Sequence, residues 1–152
     1  MGVLFSVPAF ADDSGRFDFS RKTVEDKRTG LTWMRDADLG RLDWIAASDL
    51  VIKLNKNEYA GFNDWRIPGR DELDTLIIYA RRTNYTGGVD AFSPYKLFNQ
   101  LGFNDAQNYL YWTSTPYDSN NAHVWVISMY NGNARGESKD SSHNVWPVRG
   151  GK

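Results

Sequence analysis

Phe17 and Phe19 flank Asp18 in alternation, which reads as a short strand that Thr23–Asp26 continues. Lys27-Arg28-Thr29-Gly30 is turn material, and Leu31–Met34 is a second strand. The period then changes. Ala47, Leu50, Val51 and Leu54 recur at helical spacing behind Asp43, a suitable N-cap, and predict a helix over 44–56. After a loop at 57–64, Trp65-Arg66-Ile67 is extended, as Pro68 demands of the residue before it. Leu73, Leu76, Ile77 and Ala80 make the apolar face of a second helix. Asp71 and Glu72 in its first turn and Arg81 and Arg82 in its last match the helix dipole, with Gly69 at or near the N-cap.

A loop at 83–91 centred on Gly87-Gly88 leads to Ser93-Pro94, which open a short helical turn ended by Gly102. The last third reads as sheet. Residues 111–114 form one strand, and 123–129, apolar on both faces, form a central one. Asn131-Gly132 is a hairpin signal between it and 134–138, and 144–149 close the chain. Helices followed by antiparallel strands make an α+β domain. The tetrapeptide Gly-Phe-Asn-Asp occurs at Gly61 and again at Gly102, but its flanks differ, so it is no repeat.

Length and composition narrow the function more than the fold. The chain has 152 residues, enough for one domain, and its six Trp, eight Tyr and eight Phe suit a core built on large rings. A net charge of −1 without a basic run argues against a nucleic acid or an anionic membrane as partner. The absence of cysteine excludes disulfides, thiolate metal sites and a Cys nucleophile. At the N-terminus the apolar run Val3-Leu4-Phe5-Ser6-Val7-Pro8 precedes Ala9-Phe10-Ala11, which has the form of a signal-peptidase site. We read residues 1–11 as a signal-peptide remnant and 12–152 as the domain, in a secreted, periplasmic or cell-surface protein. The rival reading is an apolar N-terminal strand. The run is too short to span a bilayer, and the short remainder favours a stand-alone protein.

Four motifs in order carry a resemblance: Thr29-Gly30-Leu31-Thr32-Trp33; Gly61-Phe62-Asn63-Asp64-Trp65-Arg66-Ile67-Pro68 with Arg70-Asp71-Glu72-Leu73; Tyr111-Trp112-Thr113-Ser114-Thr115; and Val145-Trp146-Pro147-Val148-Arg149-Gly150. From about Phe17 to Gly150 the chain resembles the bacterial domain family at the C-terminus of the Legionella collagen-like adhesin. Trp65-Arg66-Ile67-Pro68 leading into an acidic helix is also similar to the sulfatase-modifying (formylglycine-generating) family. The resemblance implies a C-type-lectin-like fold, two helices packed on irregular antiparallel sheets with long loops, and a binding function rather than catalysis. Formylglycine-generating enzymes use cysteines, so that activity does not carry over. Many adhesin-related members also contain cysteines, and a chain without them stands on its core alone. The physics of the motifs agrees with structural roles: Trp33, Trp65, Trp112 and Trp146 belong to the core, and Arg66 and Arg149 to ion pairs with Asp64, Asp71 or Glu72.

Catalytic signals are few. His123 and His143 show no zinc spacing and read as surface residues. A triad of Ser114, His123 and Asp118 lacks the nucleophile elbow. No cofactor is expected. Asp36 and Asp38 beside Gly40 would suit a structural calcium, although the EF-hand pattern and the Glu-Pro-Asn and Gln-Pro-Asp triplets of calcium-dependent lectins are missing.

The candidate ligand-binding residues are Tyr117, Asp118, Asn120 and Asn121 in one loop, and Tyr130, Arg135, Lys139, His143 and Asn144 on the hairpin and the loop after it. Amide and hydroxyl groups there suit sugar hydroxyls, and Tyr117 or Tyr130 would supply a stacking face. Three readings follow: a module for a glycan or cell-surface macromolecule, a protein-binding or self-associating oligomer, and an enzyme on the same fold.

Overall fold

The computed structural model describes residues 15–83 and 93–151. The proposed signal remnant at 1–11 and nearly all of the loop at 83–91 lie outside the described residues. The order is β1 (Phe17–Phe19), β2 (Thr23–Asp26), β3 (Leu31–Met34), α1 (Trp44–Lys56), α2 (Arg70–Arg82), α3 (Pro94–Leu101), β4 (Leu110–Pro116), β5 (His123–Ser128), β6 (Ala134–Ser138) and β7 (Val148–Gly150). Among the described residues three α-helices accompany two small antiparallel sheets, ordered β1-β2-β3-β7 and β4-β5-β6. The domain is α+β.

Several expectations are corrected. Thr23–Asp26 does not extend the first strand. The chain reverses at Ser20, whose N–H donates to Thr23 O, and β2 pairs antiparallel with β1. The helical segment opened by Ser93-Pro94 and ended by Gly102 keeps those bounds as the eight-residue α3, with Leu97 and Phe98 buried. Of the expected closing strand only Val148–Gly150 joins a ladder, because Pro147 has no N–H to give. The hairpin turn is also longer than two residues. Ser128 N–H donates to Asn133 O, so four residues lie between, and Gly132 alone takes a positive φ of 79°.

The two sheets are joined by the chain's last stretch. Asn144 exchanges backbone hydrogen bonds with Leu110 and Trp112 at the edge of the second sheet. A few residues later Val148 bonds Arg66 on one side and pairs with Trp33 on the other. Between these points lies Trp146, fully buried, its ring against Trp33, Phe98, Phe103 and Tyr111. All four motif tryptophans are buried. Three satisfy their indole N–H on a distant carbonyl: Trp65 on Tyr59, Trp112 on Leu42 and Trp146 on Met34. A buried indole donor without a partner costs stability, so these bonds set which loops cross the core.

The motif charges are structural as well. Arg66 forks onto Glu72 and also donates to Gly150 O, while Glu72 accepts from Gly69 N–H at the start of α2. One carboxylate thus caps a helix and, through Arg66, anchors β7. Arg149 pairs with Asp64 and lies 3.8 Å over the Phe62 ring.

Candidate functional site

The second sheet has two faces of different character. Trp112, Val126 and Arg135 form one cross-strand row, and Val124 and Glu137 belong to the next row on the same side. Trp125 and Gly136 face the other way. Tyr117 lies on that second side, directly over Gly136 and edge-on to Trp125 at 4.8 Å, and the Arg70 guanidinium covers the Trp125 ring at 3.8 Å. Tyr117 therefore packs on the sheet and is half-buried there. A Cβ on Gly136 would come within 2.6 Å of the Tyr117 ring. Gly136→Ala should displace Tyr117 and cost about 1–3 kcal/mol, the usual range for overpacking, read as a lower urea midpoint with an altered tyrosine and tryptophan spectrum. An unchanged midpoint and spectrum would contradict this placement of Tyr117.

The candidate residues are split between the two ends of the sheet. Asp118, Asn120 and Asn121 are exposed at one end, where Asn120 is spent on turn formation through Ala122 N–H and Tyr117 O. Lys139 is at the same end, its N–H on Ala122 O. Tyr130 is at the opposite end, and since β5 is six residues long, the ends are roughly 17 Å apart. One small ligand does not span both. Asn144 is buried, with its side-chain amide held 3.4 Å from Asp38 Oδ1 and from Gly40 O, which marks it as a brace for that loop.

The Tyr130 end carries a groove of about 460 Å³, lined by Asn108, Tyr109, Leu110, Ser128, Tyr130, Asn131, Asn133, Ala134 and Arg135. Tyr109 and Tyr130 are 42% and 55% exposed. Arg41 lies 3.4 Å over the Tyr109 ring and stiffens that wall. The turn fixes the remaining polar groups: Ser128 Oγ accepts from Tyr130 N–H, and Asn131 Oδ1 accepts from Asn133 N–H. The groove is thus a shallow trough with two aromatic rings and a set of amide and hydroxyl groups. Among the described residues its lining includes no carboxylate, histidine or cysteine.

Of the groove lining, the sequence candidates include Tyr130 and Arg135 but not Asn108, Tyr109, Leu110, Ser128, Asn131, Asn133 or Ala134. Asn108 and Tyr109 precede a strand, where alternation gives no sign of exposure. Arg41 lies over the groove's Tyr109 wall, next to Leu42, which forms a bridge with His143.

His143 is not the surface residue its polar loop suggested. Its ring packs edge-on to Trp112 at 4.8 Å, and both backbone polar groups bond Leu42. Burial holds its pKa below the usual histidine value, with Glu137 opposing and Arg135 and Arg41 reinforcing that shift. His123 is half-buried at the start of β5. Burial likewise raises the Tyr111 pKa, and its hydroxyl donates to Ala37 O. Among the described residues no group of three or more His, Asp or Glu side chains is placed to hold a metal ion. Among them, too, no helix is long and apolar enough to cross a membrane.

The family model of the Lcl C-terminal domain matches residues 22–149. No curated protein matches the chain.

Proposed function

The chain belongs to the Lcl C-terminal domain family, an adhesin-related bacterial module, and from that premise we propose that it is a secreted or surface-exposed, non-catalytic binding domain of C-type-lectin-like build that recognises a glycan or another cell-surface macromolecule. The observation that carries this reading is the trough at the end of β5 and β6, where exposed Tyr109 and Tyr130 stand among Asn108, Ser128, Asn131 and Asn133. Sugars present hydroxyls around apolar C–H faces. Aromatic rings take those faces, and amides with both donors and acceptors take the hydroxyls. A lining without convergent acid–base groups supports binding over catalysis.

A glycan array on the chain lacking residues 1–11, run with calcium and with chelator, tests the reading. A selective signal is expected. Tyr130→Ala, at an exposed position away from the core, should weaken it about tenfold, as loss of an aromatic anchor does. Loss of signal with chelator would add a metal to the site. A blank array in both conditions would overturn glycan recognition.

A second reading, association with protein or with another copy, rests on α1. Ile45 and Ile52 are 69% and 63% exposed there. Beside them a trough of about 410 Å³ runs between α1 and Trp65-Arg66-Ile67.

A further inference from the structure

Glu137 stands between two nitrogen groups and serves one of them. Arg135 Nε donates to Glu137 Oε1 at 2.5 Å. On the other side His143 Nε2 is 3.6 Å from Glu137 Oε2, just beyond hydrogen-bond reach. The same Nε2 is buried with no hydrogen-bond partner among the described residues. His143 is also held in place. Leu42 clamps its backbone from one side and Trp112 its ring from another. A neutral imidazole in this position makes a weak claim on the carboxylate, and an imidazolium makes a strong one.

The charged groups around the ring are few. From β6 come Glu137 and Arg135, and from the segment before α1 comes Arg41. Asp43 of that segment is engaged at Ala46 N–H as the cap of α1. Trp112 of β4 brings no charge, and Lys139 and Asp140 lie on the histidine's own loop. While His143 is neutral, Glu137 cancels Arg135. Once it is protonated, Arg135 and His143 both face the Glu137 carboxylate, and Arg41 adds a further positive charge near the histidine ring.

We propose that Glu137 is a carboxylate switched from Arg135 to His143 when His143 takes up a proton, so that acidification releases the Arg135 guanidinium into the groove it lines. The movement is small: closing 3.6 Å to a charge-assisted contact of about 2.8 Å needs less than about 1 Å. Arg135 has room to respond, since its side chain is 64% exposed. The released fork would offer its N–H donors to a carbonyl, hydroxyl or carboxylate oxygen of a bound ligand. That consequence for binding rests on the groove's proposed function, whereas the switch does not.

An NMR pH titration of the full chain without ligand tests the switch directly, following the His143 ring and the Arg135 Nε–Hε resonance together. The expected result is one shared midpoint, below the ordinary histidine value. Glu137→Gln should lower the His143 midpoint and abolish the Arg135 response, while Arg135→Gln should raise the midpoint. The backbone spectrum of each variant reports whether it folds, and loss of the Arg135 response in Glu137→Gln separates a switch from simple charge repulsion. An Arg135 resonance that does not move at the His143 midpoint, or midpoints unaffected by both substitutions, would overturn the proposal. Since no ligand is present, a negative titration leaves glycan recognition standing, and a blank glycan array leaves the switch standing.

Discussion

Trp146→Ala should destabilise the domain by about 3–5 kcal/mol, the range for truncating a buried aromatic residue. The ring is fully buried and has four aromatic neighbours, with Phe103 at 5.1 Å, Tyr111 at 5.7 Å and both Trp33 and Phe98 at 5.8 Å. Those neighbours come from β3, α3, the loop after it and β4, so a cavity here loosens both sheets at once. Truncation also strands Met34 O, which now accepts the indole N–H at 2.8 Å. Against a total stability of about 5–15 kcal/mol for a domain of this size, the loss is a large fraction. Urea denaturation followed by near-ultraviolet circular dichroism measures it. Trp146→Phe keeps most of the apolar contact and loses the hydrogen bond, so its cost should fall nearer about 1–3 kcal/mol. A cost below about 1 kcal/mol for the alanine variant would contradict the placement of Trp146 at the junction of the sheets.

The second large effect belongs to a buried ion pair. Asp26 is completely buried, and its two carboxylate oxygens accept from Arg16 Nε and Nη2 at 2.8 and 2.7 Å, with Arg28 N–H adding a third bond at 3.0 Å. Arg16 itself is 7% exposed and lies against the rings of Phe17 and Tyr79. Asp26→Ala leaves a guanidinium among aromatic rings with its counter-charge removed, which costs about 3–5 kcal/mol. Replacing both partners with apolar residues removes the uncompensated charge together with its partner. The double variant Arg16→Met with Asp26→Ala should therefore recover much of that loss. Chemical denaturation of the two single variants and the double variant closes the cycle. Additive losses would contradict a coupled pair.

How much of this was legible in the sequence depends on the distance over which each feature is decided. The helix from Trp44 to Lys56 was readable because its cap and its apolar face lie within one stretch of chain, and Asp43 does cap it through Ala46 N–H. The tryptophan motifs were recognisable as core for the same reason. The Arg16–Asp26 pair was not foreseen, since nothing local says that two charged residues ten apart will be covered together. The candidate site suffered most. Polar loop residues near one another in sequence were gathered into one surface, but a strand carries its two ends apart, and Tyr117 and Tyr130 finished at different ends. Tyr109 joined the groove through tertiary contacts, with Arg41 stacked over its ring beside the Leu42–His143 bridge. Asn144 looked like a ligand residue because it is polar and late in the chain, yet its backbone bonds to Leu110 and Trp112 bury it.

The measurement that reaches the central claim most directly is residue-resolved chemical-shift mapping of the domain against a panel of oligosaccharides drawn from neutral and acidic classes. Saturable shifts are expected at residues 108–110 and 128–135, with Arg41 responding through the Tyr109 ring. Shifts centred on Ile45 and Ile52 of α1, or none with any class of sugar, would contradict that claim and leave α1 as the surface by which this domain meets its partner.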